Sequence, residues 1–265
     1  MGIRRSVILV TTSTNTNWEA LVPQGTNAFF IPECDSTNTL AVEAGNKGKV
    51  VPSWFIAGKQ NAGRGRRGRP WTSETGNLFC SYLFQPSAQL SNITPLPFIV
   101  ALALRDTLIA LGCHPEQVKC KWPNDVLVNE QKISGILIES STAHAGNTGF
   151  IVIGIGVNLA HTPSGTQFIA TSLTDILDKT LSPQTVFKKL AKNLAERLQS
   201  WTQDQMSLLV EEWSACAWGL GNRREIRTND ATFHARVMGL APDGALKLKL
   251  DDGSSKQIYA GDVFK

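Results

Sequence analysis

Gly63-Arg-Gly-Arg-Arg-Gly68 is followed at once by Arg69, Pro70 and Trp71. The six residues match the G-x-G-x-x-G fingerprint of dinucleotide-binding folds letter for letter. Their surroundings exclude that fold. A dinucleotide loop opens a helix, whereas Pro70 and Trp71 lead toward Leu78–Phe84, a run of bulky β-formers that reads as a strand. Arginine at all three intervening positions also suits poorly a loop whose glycines exist to let a helix pack closely. A glycine-hinged loop that carries guanidinium groups to an anion fits better, since Arg pairs bidentately with both phosphate and carboxylate. Taken alone, the segment is equally compatible with a solvated basic turn or an RNA-binding Arg/Gly stretch. With no apolar anchor before Trp71, it is expected to be mobile.

The rest of the chain carries no such charge. Of 265 residues, 42% are hydrophobic and 18% charged, an ordinary globular composition that suggests one large domain and one small one. Net charge is +4, and Arg64, Arg66, Arg67 and Arg69 account for all of it; without them acidic and basic residues balance. A general nucleic-acid binder spreads Lys and Arg over a face, so the positive charge here is a local device. The five cysteines (Cys34, Cys80, Cys113, Cys120, Cys216) are scattered, with no CxxC pair and no zinc spacing. A reducing compartment, the cytoplasm, is expected. The apolar stretch 96–113 is broken by Arg105 and Asp106 and reads as a core helix, so no membrane contact is expected. The opening MGIRRSVILV has a signal-like start, but its apolar run stops at Thr11 and Thr12, and no small-residue cleavage site is evident.

Working outward, residues 1–28 are rich in Thr and Asn and read as an irregular lead-in. Asp35 or Ser36 caps a short helix that ends at Gly45. Strands are expected at 54–58, 118–122, 126–128, 133–139 and 150–157, with 140–149 joining the last two as a hairpin. A buried helix spans 95–111 and closes at Gly112. Pro183 behind Ser182 starts another, along which Phe187, Leu190, Leu194, Leu198 and Trp201 recur at helical spacing. A further helix follows at 206–218. At Gly219 the pattern changes to short alternating runs (231–237, 245–250, 256–260) separated by Asp243-Gly244 and Asp252-Gly253, a hairpin signal. The tail therefore reads as a small antiparallel barrel.

Three more segments carry polar chemistry. In Lys121-Trp-Pro-Asn-Asp125, the Asn-Asp pair after Pro is either a plain turn or a source of oxygens for magnesium. In Lys132-Ile-Ser-Gly-Ile-Leu-Ile-Glu139, a lysine heads an apolar strand, which is also a common place for an edge lysine. Gly135 within that strand suggests the close approach of a ligand or backbone. In Gly154-Ile-Gly-Val-Asn158, a buried strand ends in glycines and an amide.

Taken together, Asp35-Ser-Thr-Asn38, Gln60 with residues 63–68, and the segments 121–125, 132–139 and 154–158 stand in the order and spacing of the biotin–protein ligases. The chain resembles that family from about Phe30 to the C-terminus. The resemblance implies an α+β fold: a mixed-sheet catalytic domain related to class II aminoacyl-tRNA synthetases and lipoate ligases, then an SH3-like domain. On that basis the catalytic domain is expected at 29–218 and the SH3-like domain at 219–265. It further implies that Ser36, Thr37, Asn38 and Gln60 line a pocket for the biotin ureido ring, with Arg64, Gly65, Arg66, Lys132 and Gly135 completing the biotin site. A buried cyclic urea needs short hydroxyl and amide partners, because one unpaired group costs about 1–3 kcal/mol. Asp-Ser-Thr-Asn is equally a helix N-cap. ATP or the adenylate would meet Arg64, Arg66, Arg67, Trp71, Lys121, Asn124, Lys132, Gly156 and Asn158, with Lys132 and Arg66 acting on the transferring phosphoryl group. Asp125 would stand near Mg2+.

The implied partners are biotin, ATP and a biotin carboxyl carrier protein or domain, with a homodimer left open. Bifunctional relatives carry a DNA-binding winged helix-turn-helix, but the 34 residues before Asp35 show no two-helix pattern, so DNA is not expected as a partner. Two rivals remain. A lipoate or octanoyl ligase would share fold and adenylation chemistry but needs no polar Ser-Thr-Asn set. An RNA-binding protein would need a second basic cluster, and the sequence offers none.

Overall fold

The computed structural model of the chain describes residues 17–48, 50–86, 93–142 and 148–265. Seven strands form a mixed sheet: β1 (Asn27–Cys34), β2 (Ser53–Gln60), β3 (Leu78–Phe84), β4 (Val118–Lys121), β5 (Asp125–Val128), β6 (Gln131–Thr142) and β7 (Thr148–Val157). Their order is β1-β2-β3-β7-β6-β5-β4. Only β1 and β2 run parallel; every other neighbouring pair is antiparallel.

Side-chain alternation sorts the sheet into two faces. Leu78 and Cys80 of β3, and Ile151, Ile153 and Ile155 of β7, join the main core with α2 (Leu96–Leu111). Leu83 and Val152 lie on the opposite face with Ala41 of α1 (Thr37–Asn46). Both faces are covered, which is why β7 reads as a continuous apolar run rather than an alternating one. A third helix, α3 (Leu173–Leu177), is short, and α4 (Pro183–Ser200) packs beside α2, with Asn193 donating to Thr107 at 3.0 Å. Helix α2 ends where expected, on Gly112 at φ 118°. Helix α5 (Met206–Ala215) stops short of the expected residue 218, because residues 216–218 turn to pair with β4: the Cys120 amide donates to the Cys216 carbonyl, and the Trp218 amide to that of Cys120.

After Gly219, β8 (Arg223–Arg227), β9 (Thr232–Leu240), β10 (Leu246–Lys249), β11 (Ser255–Ile258) and β12 (Asp262–Phe264) form an antiparallel sheet in the order β11-β10-β9-β8-β12, the SH3-like part of the α+β fold. Among the described residues no helix is long and apolar enough to cross a membrane.

Two further expectations need correcting. Residues 1–16 lie outside the described residues, but the end of the expected lead-in is structured. Asn17 caps a 3-10 turn at Trp18–Leu21, and β1 begins at Asn27. Trp18 is buried, stacked on Phe30 at 5.1 Å and edge-on to Phe187 at 5.4 Å; the polar composition around it masked that anchor. Gly45 does not stop α1. The helix runs on to Asn46, and Gly45 is buried where an added Cβ would lie 2.8 Å from the Phe150 ring. That glycine is a packing requirement.

Candidate active site

The face of the sheet that carries α1 opens into a cavity of about 520 Å³ at the N-terminus of that helix. Its floor follows from register. Gly135 of β6 pairs with Gly156 of β7, and Leu137 with Gly154. With no side chains there, the Trp71 ring lies on the first pair: a Cβ at Gly156 would come 2.5 Å from its indole, and one at Gly135, 2.8 Å. A Cβ at Gly154 would collide with the Asn38 amide.

One end of the cavity is a hydrogen-bonded network of neutral groups. Ser36 sits at the N-cap position of α1 but makes no capping bond, which leaves its hydroxyl to the cavity and sets aside the purely structural cap reading. The main-chain amide of Thr37 donates to Gln60 Oε1 at 2.8 Å and its hydroxyl to the same oxygen at 3.1 Å. Gln60 Nε2 donates to Ser73 Oγ at 2.9 Å. Beneath them Ser81, fully buried, lies 2.7 Å from Thr37 Oγ1 and 2.5 Å from Asn38 Oδ1, with one proton to offer either. Asn38 Nδ2 donates to Glu139 Oε2 at 2.7 Å.

The other end is charged. Asp125 is buried between two lysines, with Lys132 Nζ 2.6 Å from Oδ1 and Lys121 Nζ 3.3 Å from Oδ2. Burial raises the Asp125 pKa, but Lys132 and Lys121 outweigh it and hold the carboxyl below the usual range. Burial pushes the Lys121 ammonium down, opposed by Asp125. The Lys121 ammonium also faces the Phe168 and Phe264 rings, at 4.8 and 5.9 Å. Lys132 Nζ stands 5.3 Å from the Trp71 ring, and the Lys132 backbone is clamped to the 169–171 segment through Ile169 and Thr171. Asn124 donates to the Ile136 carbonyl at 2.6 Å and accepts from Arg66 at 3.5 Å. Among the described residues lining this cavity, Trp71 Nε1, a donor, and Asn158 Oδ1, an acceptor, are buried without a hydrogen-bond or ion-pair partner.

The arginine loop is folded rather than loose. Trp71 N bonds to Gly63 O at 2.8 Å and Gly65 N to Arg69 O at 2.7 Å, closing a narrow hairpin with Arg67 and Gly68 in the left-handed region. Asp262 of β12 fastens it, 2.5 Å from Arg69 and 3.7 Å from Arg67. Burial lowers the Arg66 pKa, with Asp262 the chief opposing influence.

The cavity gathers Ser36, Thr37, Asn38, Gln60, Arg64, Gly65, Arg66, Trp71, Lys121, Asn124, Asp125, Lys132, Gly135, Gly156 and Asn158, all expected from sequence. Arg67 is the exception. It is exposed and turned to Asp262, and Arg69 takes its place on the cavity wall. Asp125 as a magnesium ligand also fits poorly, because ammonium groups occupy both of its oxygens, where a hard cation needs them open. Among the described residues no group of three or more His, Cys, Asp or Glu side chains could hold a metal.

Sequence reasoning missed Ser81, Ser73, Phe168, Asp262 and Phe264. Ser81 had a signal: a small hydroxyl side chain in Leu-Phe-Cys-Ser-Tyr-Leu-Phe, on the face shared with Phe79 and Leu83. The others come from loops and the C-terminal strand, with nothing local to mark them.

Sequence comparisons agree with this geometry. Residues 30–158 match the Biotin/lipoate A/B protein ligase family, and residues 220–265 match the Biotin protein ligase C terminal domain. The biotin--[acetyl-CoA-carboxylase] ligase of Paracoccus denitrificans is 35% identical over 89% of this chain and 99% of its own. The structure of the Aquifex aeolicus biotin protein ligase in complex with biotin and ATP superimposes with a TM-score of 0.75 at 27% identity, covering 89% of this chain and 97% of that one. The Leishmania major enzyme in complex with biotinyl-5-AMP gives 0.62 at 26%, covering 88% and 99%. Fold and site thus define an ATP-dependent ligase of the biotin/lipoate class. The chain belongs to the biotin–protein ligase family.

Proposed function

We propose that this protein activates biotin with ATP to biotinyl-5'-AMP and transfers the biotinyl group to a lysine of a biotin carboxyl carrier protein or domain. The observation that carries the reading is the polarity of this cavity: neutral hydrogen-bonding groups at one end (Thr37, Asn38, Gln60, Ser81) and cations at the other (Lys121, Lys132, Arg66, Arg69). A ureido ring suits the first, and a carboxylate meeting a triphosphate suits the second.

In the first step a biotin carboxylate oxygen attacks the α-phosphorus, the bond to the bridging oxygen breaks, and pyrophosphate leaves. Lys132 and Arg66 stabilise the charge on the transferring group, an effect typically worth roughly 3–4 kcal/mol per preorganised contact. Asp125 holds Lys132 and Lys121 in place by pairing with both. Trp71 and Asn158 offer the adenylate a flat ring, an indole N–H and an amide oxygen. In the second step the carrier amine attacks the acyl carbon, AMP leaves, and the amine loses a proton. Residues 29–218 act as the catalytic unit, and 219–265 contribute Asp262 and Phe264 to its cavity.

The test is incubation with biotin, MgATP and a carrier domain, read by mass spectrometry. A carrier left unshifted where a known ligase labels it overturns the reading. Calorimetry with lipoate in place of biotin addresses the rival substrate, which the polar end disfavours.

A further inference from the structure

The hydrogen bonds of the neutral end do not stop inside the cavity. The Asn38 side chain, only 4% exposed as a residue, donates through Nδ2 to Glu139 Oε2 at 2.7 Å and to the Leu137 carbonyl at 3.4 Å. Carboxylate and carbonyl accept only, so the amide cannot turn over. Its oxygen must face inward, toward Ser81, which takes one of its two acceptor positions. The second is left for a donor in the cavity, such as a ring N–H. The other oxygen of the same carboxylate, Glu139 Oε1, lies 3.5 Å from Arg64 Nη2, and that guanidinium also donates to Thr39 Oγ1 at 3.3 Å. One side chain on β6 thus holds the amide that faces the ligand ring and the first arginine of the loop.

We propose that Glu139 is a positioning residue that couples occupancy of the ring pocket to the placement of the Arg64 end of the loop. The proposal rests on the biotin reading above. A donor bound to Asn38 Oδ1 polarises the amide and strengthens its bond to Glu139, as hydrogen bonds in series do. Arg64, on the other carboxylate oxygen, holds that carboxylate within reach of the amide, so losing Arg64 loosens the orientation of Asn38. Coupling of this kind is reciprocal: whatever Arg64 contributes to ring binding, ring binding contributes to Arg64. Glutamine at position 139 would break the link at both sides. It can donate as well as accept, so Asn38 is free to flip, and it offers Arg64 no charge.

The experiment is a double-mutant cycle of biotin affinity by calorimetry, using wild type, Glu139→Gln, Arg64→Gln and the double variant. Glu139→Gln is expected to weaken biotin roughly tenfold. Arg64→Gln should weaken it markedly in the wild-type background and much less once Glu139 is gone. Glu139→Asp, which keeps the charge, should restore part of the Arg64 dependence, a result that a merely structural glutamate would not give. If Glu139→Gln does not fold, the same cycle is run with Glu139→Ala, which also removes the charge. Independent, multiplying effects of the two substitutions overturn the coupling, as does an unchanged affinity in Glu139→Gln. Absence of biotin binding by the wild type instead overturns the functional reading itself, so the two failures are distinguishable.

Discussion

The ring end of the cavity is built from residues that are near neighbours in sequence or register, fixed on rigid elements. Ser36, Thr37 and Asn38 open α1, Gln60 ends β2, and Ser81 lies mid-strand in β3 opposite Gly154. The phosphate end draws on β4, β5, β6, a hairpin loop and the final strand, so that Arg69 meets Asp262 across 193 positions of sequence. The first end presents neutral groups and is held by hydrogen bonds, with one carboxylate, Glu139, behind Asn38. The second is held by charge, with a carboxylate buried between two lysines. A neutral network tolerates the loss of one member at the cost of an unpaired dipole. A buried charge cluster does not, because removing one partner strands the others without compensation. Sensitivity to mutation, pH and salt should therefore concentrate at the phosphate end.

The largest effect is expected at Lys132. Lys132→Ala should slow pyrophosphate release by roughly 3–4 kcal/mol in barrier, a hundredfold or more. A rate within threefold of wild type would reduce Lys132 to a structural partner of Asp125. At the opposite end, Gly154→Ala should push Asn38 out of place and weaken biotin by about 1–3 kcal/mol, leaving ATP affinity near normal. If calorimetry finds ATP binding weakened as much as biotin binding, the two ends are not the separate units that the geometry implies.

The contrast also explains what could be read from the sequence. Asp35-Ser-Thr-Asn38 is visible because a helix start places consecutive residues side by side, and the glycines at 135, 154 and 156 are visible because strands set them in register. The break at Gly219 showed in the change from helical to alternating periodicity. Asp262 was not legible, since an acidic residue in a short terminal strand carries no sign of the arginines it meets. Trp18 was hidden by its Thr- and Asn-rich surroundings, and Asp125 looked like a metal ligand because nothing local shows that Lys132 reaches back to it.

Asp125 gives the comparison a pH signature. Its folded-state pKa lies below the ordinary carboxylate value because Lys132 and Lys121 outweigh the effect of burial. A group depressed in this way contributes stability that is complete above its unfolded value, about 3.9, and is lost as pH falls through the lower folded value. Wild type should therefore melt higher than Asp125→Asn by a few degrees near neutrality, with the gap narrowing below the unfolded value. A gap that stays constant between neutral and strongly acidic pH would show that the carboxylate charge is not what stabilises this end. Gly154→Ala should show no such pH dependence.

The smallest expected effect sharpens the comparison most, because it concerns a residue that touches no reacting atom. Biotinyl-AMP is a mixed anhydride open to attack by water or any amine, so a ligase must enclose it until the carrier docks. The hairpin at residues 63–71 carries Arg66 on the cavity wall, and ordering such a loop costs roughly 1–2 kcal/mol of backbone entropy per residue. Hydrogen bonds within the hairpin offset part of that cost, and Asp262 adds an ion pair to Arg69 that is half exposed on the arginine side. Exposed pairs contribute about 1 kcal/mol or less. Asp262→Asn should accordingly leave adenylate formation almost intact and raise leakage of the intermediate only a few-fold, seen as biotin on serum albumin mixed with ligase, biotin and MgATP. Arg66→Gly, which removes the contact as well as the restraint, should form the adenylate more slowly and lose a far larger share of what it forms. Added salt should erase the difference between wild type and Asp262→Asn, since an exposed pair is screened, and should do little to Arg66→Gly. If Asp262→Asn leaks no more than wild type at low salt, the C-terminal strand does not help to hold the loop, and containment rests on the hairpin and Arg66 alone.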